Sequence, residues 1–141
     1  MADTAKKIEW DDAYLLGIPD IDMQHKKLIL IANELYDVVY GDEANYKLKM
    51  SMVLKKLTDY TEYHFTNEEQ LQKRIGYPGL ETHKNSHDYF IKEVRLQIQK
   101  LNSESKSNVL GFYNYIATWV FNHIAKADRL WATYMKENSG K

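Results

Sequence analysis

Five histidines and two carboxylates occupy positions where apolar core residues are expected. The histidines are all those in the chain, namely His25, His64, His83, His87 and His123. Each continues a run of apolar residues spaced three and four apart, the pattern of an inward helix face. In one such run the spacing places His64 and Glu68 one turn apart on the buried side. Since a buried carboxylate without a partner is costly, this pattern requires a compensating charge.

Imidazole nitrogens and carboxylate oxygens without sulfur suit iron, zinc, copper or manganese. A lone inward histidine is usually a hydrogen-bonded core residue. However, histidine is only intermediate in its preference for burial, so five inward histidines are not expected by chance. Asp128 follows His123 by five residues. At about 3.6 residues per turn it points sideways from His123, so it converges with the others only by leaning across or through a local π-type turn.

Seven protein ligands are too many for one ion, but they suit two ions bridged by the carboxylates. Five imidazoles, two bridging carboxylates and an assumed oxo or hydroxo bridge fill all but one position of two octahedral ions. One small exogenous ligand can then bind. The two carboxylates and the bridge offset most of the charge of two divalent ions, so Glu68 stays ionised although it is buried.

Four periodic segments carry these residues. They are predicted at about residues 22–40, 45–75, 80–101 and 109–136, after an arm at residues 1–21. Asp22 is a plausible N-cap of the first, and GYPG at 76–79 separates the second from the third. The pattern predicts an all-α fold: an up-down-up-down antiparallel four-helix bundle with an N-terminal arm. We find no internal repeat or linker, so residues 1–141 are predicted to form one domain.

The antiparallel order brings the five histidines to one level of the bundle. His25 lies near the start of the first helix, His64 late in the second, and His123 late in the fourth. His83 and His87 open the third helix. The predicted inward face of the fourth helix consists of Val109, Phe112, Ile116, Trp119, His123, Ala127, Leu130 and Tyr134. Glu69 and Gln70 lie off the inward face of the second helix, so both are predicted to be solvated.

The motifs together resemble the hemerythrin family, specifically the single-domain bacterial hemerythrins (bacteriohemerythrins). The matching pieces are WDDAYLLGIPDID leading into QHKKL, then HFTNEEQL, YPGLETHKNSHDYF and WVFNHIAKAD, and they cover most of the chain. The resemblance implies a four-helix bundle with a non-haem di-iron centre that binds O2 reversibly.

The resemblance also implies a role for each site residue. The implied metal ligands are His25, His64, Glu68, His83, His87, His123 and Asp128. Two non-haem iron ions would be bridged by the two carboxylates and an oxo or hydroxo group. Of the histidines, His25 and His64 would hold the iron with the open position, and the other three would hold a coordinatively full iron. The implied O2 pocket is lined by Leu28, Phe65, Trp119, Val120 and Ile124.

Two positions depart from the pattern associated with this family. Val120 replaces a larger aliphatic side chain found in some members, which could leave a roomier pocket and faster autoxidation. Gln72 stands where methionine is expected, and the sequence shows no consequence of this change.

The predicted function is O2 storage, transport or delivery without enzymatic activity, and two alternatives remain open. The first is an O2 or redox sensor, which requires a signalling partner or a longer parent protein. The second is a di-iron oxidase or peroxidase. Ferritin-like oxidases rely on Glu-x-x-His pairs and further glutamates, whereas here the order is His-x-x-x-Glu and histidines outnumber acids.

Composition limits the partners that are expected. With 19 basic and 20 acidic residues the net charge is −1, so no global field attracts nucleic acid or a membrane surface. The chain has no cysteine, which suits a reducing cytoplasm, and its first residues lack the apolar run of a secretory signal. We therefore expect a cytoplasmic protein with O2 as ligand, with no nucleic-acid or membrane partner. An oxygen-consuming enzyme or a signalling protein would be its unidentified partner.

Overall fold

The computed structural model describes residues 7–41, 46–100 and 106–138, and within these ranges every regular element is helical. The long helices are α1 (Pro19–Val39), α2 (Tyr46–Arg74), α3 (Leu80–Lys100) and α4 (Lys106–Asn122). A π-helical segment, His123–Asp128, and α5 (Arg129–Asn138) continue α4. A 3-10 turn, Asp12–Tyr14, lies in the arm. The predicted four-helix bundle is confirmed; the predicted ends at residues 1–6, 45 and 101 lie outside the described ranges.

Helix α1 begins three residues earlier than predicted, and Asp22 is not its N-cap. Pro19 occupies the first turn, where a missing N–H costs nothing, and Ile18 is the cap residue. The Asp22 carboxylate instead accepts hydrogen bonds from the backbone N–H groups of Leu16 (2.8 Å) and Gly17 (3.1 Å). This buried carboxylate therefore ties the arm to the start of α1.

Helix α2 ends at a glycine in the left-handed region. Gly76 has φ 70°, its N–H donates to the Lys73 carbonyl, and the Tyr77 N–H donates to the Gln72 carbonyl. This pair of bonds is the Schellman arrangement, which satisfies carbonyls that the helix end would leave unpaired. The turn reverses the chain into α3 and so places the end of α2 beside the start of α3.

The helices bury two apolar clusters on either side of the polar level. α1 packs against α2 and α4, and α2 packs against α3. The larger cluster runs through the long helices and includes Leu35, Leu54 and Phe90. The smaller cluster joins the arm to α5 through Leu16, Ile21, Trp131 and Ala132. Within the described residues, no helix combines the length and apolar character needed to cross a membrane.

The predicted inward face of the fourth helix is wrong beyond His123. Leu130 is 66% exposed, whereas Trp131 is fully buried and Ala132 is 2% exposed. The prediction extended one α-helical repeat through a segment that is in fact π-helical. Since a π turn takes up an additional residue, it moves the inward positions after it along by about one. The side chain of Val109, at the other end of this face, lies outside the described residues.

Candidate metal centre

Seven histidine and acidic side chains meet at one level of the bundle and are shielded from solvent. They form two groups whose ligand atoms lie within 4.8 Å of one another in each group. One group contains Glu68, His83, His87, His123 and Asp128. The other contains His25, His64, Glu68 and Asp128. The most exposed of the seven is His83, at 6%. The structure thus brings together all seven residues that the sequence singled out.

Each of the four helices of the bundle contributes at least one of these side chains, if the π-helical segment is counted with the fourth. His25 comes from α1, His64 and Glu68 from α2, and His83 from α3. The fourth helix contributes through the π-helical segment, which runs from His123 to Asp128. This local widening is one of the two ways in which the five-residue spacing allowed Asp128 to converge, the other being a sideways lean. It turns both side chains inward, with the His123 Nε2 atom 3.2 Å from the Asp128 Oδ1 atom.

The two oxygens of Glu68 face different histidine groups. Its Oε2 atom lies 3.1 Å from Nε2 of His25 and 3.4 Å from Nε2 of His64. Its Oε1 atom lies 3.2 Å from Nε2 of His87 and 3.6 Å from Nε2 of His83. This carboxylate therefore stands between the groups with one oxygen directed at each.

Asp128 divides its oxygens in the same way. Its Oδ2 atom lies 3.0 Å from Nε2 of His25, and its Oδ1 atom lies 2.9 Å from Nε2 of His83. The indole N–H of Trp131 also donates to the Oδ1 atom, at 3.1 Å. Because Trp131 is fully buried in the smaller cluster, it fixes the orientation of this carboxylate.

Several buried atoms at the centre make no well-oriented hydrogen bond with the described residues. They are His64 Nε2, His83 Nε2, Glu68 Oε1 and Asp128 Oδ2. Unpaired polar atoms are costly in a packed interior, yet these converge on one another. Nitrogen and carboxylate donors that face inward without protein partners fit a bound cation, and a donor set without sulfur suits iron as well as zinc, copper or manganese.

Two imidazoles are oriented by acceptors that the sequence analysis missed. The Nδ1 atom of His64 lies 2.7 Å from the Gln24 amide oxygen, and that of His87 lies 2.8 Å from the Glu69 carboxylate. The prediction that Glu69 is merely solvated is therefore wrong, whereas Gln70 is exposed as expected. An Nδ1–H bond of this kind fixes the tautomer and leaves the Nε2 lone pair for a metal. The sequence could have indicated these acceptors, because a polar residue stands next to a ligand in each case. Gln24 precedes His25, and Glu69 follows Glu68.

Without metal, the carboxylates and imidazoles shift one another's pKa values. Burial alone would lower the pKa of His25, but hydrogen bonds to Asp128 and Glu68 raise it to about 10. Burial likewise opposes protonation of His123, and the charge of Asp128 raises its pKa to about 9. For His64, burial dominates and lowers the pKa to about 4.

The two carboxylates respond in the opposite sense. Burial would raise the pKa of Glu68, but the surrounding histidines, His64 first, hold it well below its usual range. The pKa of Asp128 is also lowered, because His123 and His25 outweigh burial and the charge of Glu68. Both carboxylates are therefore ionised at neutral pH, which is the state that binds a cation.

The five residues of the expected O2 pocket lie in the larger apolar cluster. Leu28, Phe65, Val120 and Ile124 are at most 2% exposed, and Trp119 packs against them. The Phe65 ring stacks on His87 with centroids 3.8 Å apart, and the Trp119 ring stacks on His123 at 4.3 Å. Two of these side chains thus form an apolar wall against imidazoles of the three-histidine group.

A family model, described as Hemerythrin HHE cation binding domain, matches residues 16–134. The chain belongs to the hemerythrin family. It is 35% identical to a bacteriohemerythrin of Clostridium acetobutylicum over 125 residues, covering 85% of this chain and 95% of that protein. A bacteriohemerythrin of Stenotrophomonas maltophilia is 34% identical over 130 residues, which cover 90% of this chain and 80% of that one.

The fold agrees with a solved member of the hemerythrin family. A crystal structure of wild-type hemerythrin superposes with a TM-score of 0.77 at 25% sequence identity, covering 89% of this chain and 95% of that one. The hemerythrin family and the histidine–carboxylate cluster are together consistent with a non-haem iron centre.

Proposed function

We propose that this protein binds O2 reversibly at a di-iron centre and that it serves in O2 storage, transport or delivery. The observation that supports this most directly is the placement of Glu68 and Asp128, because each directs one oxygen at the three-histidine group and the other at the two-histidine group. That arrangement suits two ions bridged by both carboxylates and an oxo or hydroxo group. The smaller group supplies fewer ligands, so the open coordination position belongs to its ion.

In this proposal each protein residue has a defined part. His83, His87 and His123 would hold a coordinatively saturated ion, and His25 and His64 would hold the ion that accepts O2. A bound iron pair would supply the two electrons that O2 takes up on binding and would recover them on release. The five apolar side chains of the proposed pocket would exclude water and anions, which otherwise promote loss of the reduced state; they are Leu28, Phe65, Trp119, Val120 and Ile124.

A nitrogen-rich, nearly saturated site favours binding over turnover. Oxidases of the ferritin-like type use more carboxylates and fewer histidines. Tyr60 of α2, whose ring stacks on His64, donates its hydroxyl hydrogen bond to the Gln24 carbonyl rather than to the ligand cluster. It is therefore engaged elsewhere and does not supply a proton to bound O2.

The test is a cycle of oxygenation on the iron-loaded protein. The protein is reconstituted with ferrous iron, and the iron content is measured. It is then exposed alternately to air and vacuum while the visible spectrum is recorded. A charge-transfer band that appears and disappears over repeated cycles is the expected result. Irreversible oxidation on first exposure, or steady consumption of O2 with an added reductant, would contradict the proposal.

A further inference from the structure

Gln72 has a buried side-chain amide that has no role in the O2 site as proposed above. Its side chain is fully buried, and neither its Oε1 nor its Nε2 atom has a hydrogen-bond partner among the described residues. A packed amide without partners destabilises a fold, and an apolar side chain of the same length would avoid that cost. We therefore expect the Gln72 amide to form a hydrogen bond in the metal-bound protein.

The helix geometry directs Gln72 toward the metal centre. It lies four residues after Glu68, so both side chains emerge from the same face of α2. The Glu68 Oε2 atom lies 3.1 Å from Nε2 of His25 on α1, which fixes the level at which the two helices face each other. Side chains lean toward the N-terminus of their own helix. Because the helices are antiparallel, Gln72 leans toward the level of His25 and His25 leans toward that of Gln72.

The imidazole of His25 lacks the hydrogen-bond acceptor that the Gln72 amide oxygen could provide. Its Nδ1 atom is buried and lacks a hydrogen-bond partner among the described residues. When Nε2 of a histidine binds a metal, the proton resides on Nδ1 and needs an acceptor, as Gln24 provides for His64 and Glu69 for His87.

Other buried acceptors without partners in the described ranges do not suit His25. Glu68 Oε1 and Asp128 Oδ2 belong to the ligand cluster itself. The Tyr115 hydroxyl lies on α4 near Glu93 and Tyr89 of α3, away from α1. Among the buried side-chain acceptors without partners in the described ranges, Gln72 Oε1 is then the one outside the ligand set that remains.

We propose that Gln72 is a positioning residue for His25: in the metal-bound protein its amide oxygen accepts the Nδ1–H bond of that imidazole. This rests on the proposed function only in that Nε2 of His25 binds the metal. A methionine at this position would provide at most a weak acceptor, so the amide would hold the imidazole of the open iron more firmly.

The test uses Gln72→Met, with Gln72→Leu as a second apolar variant, in the zinc-loaded protein. Zinc is diamagnetic and accepts nitrogen and oxygen ligands, so the imidazole N–H groups can be followed by 15N–1H NMR without reliance on O2. Gln97→Met is the matched control. Its amide nitrogen is also buried without a partner, and it lies ten residues beyond His87 on α3, about 15 Å along the helix.

We expect both Gln72 variants to alter the His25 Nδ1–H resonance and hasten its exchange with water. Zinc release to a chelator should become about 10- to 100-fold faster. The denaturation midpoint of the metal-free protein should stay the same or rise, because an unpaired amide has been removed. A merely structural glutamine would not produce these opposite effects in the two states. Gln97→Met should leave the resonance and the release rate unchanged.

The failures of the two proposals are distinguishable. If zinc binds and the His25 resonance is the same in wild type and both Gln72 variants, the role of Gln72 is overturned while the metal centre stands. Equal acceleration of zinc release by Gln97→Met would also overturn it. If the wild-type protein binds no zinc or iron at all, the proposed metal centre is refuted, and the inference about Gln72 is refuted as well.

Discussion

The two histidine groups share both carboxylates but differ in how they are built. Three imidazoles on one side come from α3 and the π-helical segment, and two on the other come from α1 and α2. The larger group is backed by stacked rings, with Phe65 on His87 and Trp119 on His123. The smaller group has one fewer nitrogen donor. In the proposed di-iron centre, the open coordination position would therefore belong to the ion held by the group with fewer donors.

The acceptors behind the imidazoles differ as well. His87 is oriented by the Glu69 carboxylate, whereas His64 is oriented by the neutral Gln24 amide. Hydrogen bonds to ionised acceptors are roughly twice as strong as neutral ones, so we expect His87 to be held more firmly than His64. This difference fits a permanent ion on one side and a ligand-exchanging ion on the other.

Removing an imidazole from the smaller group should have the largest effect on O2 binding. We expect His64→Ala to abolish the reversible O2 band and to bind about one iron per chain instead of two, since His25 alone remains with the shared carboxylates. Iron analysis and the air–vacuum cycle measure both effects. Tyr63→Ala is the control, because this neighbour is 58% exposed. A wild-type O2 band in His64→Ala would refute the assignment of the open ion.

Removing the charged acceptor tests the larger group. Glu69→Ala takes away the carboxylate that orients His87, so we expect release of the iron to a chelator to become about 10- to 100-fold faster. Gln70→Ala is a matched control on the next, exposed residue. Unchanged release from Glu69→Ala would mean that the hydrogen bond to His87 does not contribute to metal binding.

Removing the neutral acceptor should have a smaller effect. Gln24→Leu leaves the Nδ1 atom of His64 without its amide partner while the rest of the site is unchanged. We expect iron release to accelerate by less than in Glu69→Ala, about threefold to tenfold, because a neutral bond is lost. The same chelator assay ranks the two variants. A larger effect for Gln24→Leu would reverse the proposed order of the two groups.

Residue spacing predicted the helices and the shared level of the ligands because burial imposes a period that the sequence displays. It also indicated that Asp128 could converge with His123 only by leaning across or through a π turn, and the structure has the π turn. The same spacing failed beyond that turn, where Leu130 was expected inside and Trp131 is instead buried. A periodic pattern assumes one helical repeat, so it loses register wherever the repeat changes.

The acceptors were missed for a different reason. Glu69 is off the inward face of α2 and reaches His87 on α3, while Gln24 on α1 reaches His64 on α2. Helical periodicity describes a face of one helix, but it does not encode the reach of a flanking side chain to the next helix. Only the packing of α1, α2 and α3 shows these bonds.

Within the smaller group the two imidazoles should respond to pH in opposite ways when no metal is bound. Both have a pKa of about 6.5 in the unfolded chain. The raised pKa of His25, about 10, contributes stability that is complete below pH of about 6.5 and is lost as the pH rises through 10. The lowered pKa of His64, about 4, means that stability falls as the pH drops from about 6.5 to 4.

Metal-free protein should therefore be most stable near pH 6.5. Between pH of about 6.5 and 5 the unfolded chain takes up one proton at His64 that the folded chain does not, which gives a slope of up to about 1.4 kcal/mol per pH unit. Nearer a pH of about 4 the lowered pKa values of Glu68 and Asp128 add to the loss of stability, because these carboxylates are then protonated only in the unfolded chain. Urea unfolding at several pH values measures it. His64→Ala should flatten this acid slope while keeping the loss above neutral pH. An acid slope that is identical in His64→Ala would show that His64 is not the group responsible.

The smallest expected effect concerns the space beside the open ion. Val120 is fully buried in α4, one turn before His123 and Ile124. Val120→Leu adds one carbon to the proposed pocket and leaves less room for water and anions. We expect autoxidation of the O2-bound form to slow by about two- to fivefold, a change of about 1 kcal/mol or less in the barrier. Val120→Ala enlarges the same space, so it should accelerate autoxidation.

Decay of the visible band in air measures both rates, and denaturant midpoints show whether overpacking or a cavity has altered the fold. If the two variants change the rate in the same direction, the volume at Val120 does not control access. The different behaviour of the two ions would then depend on their ligands alone.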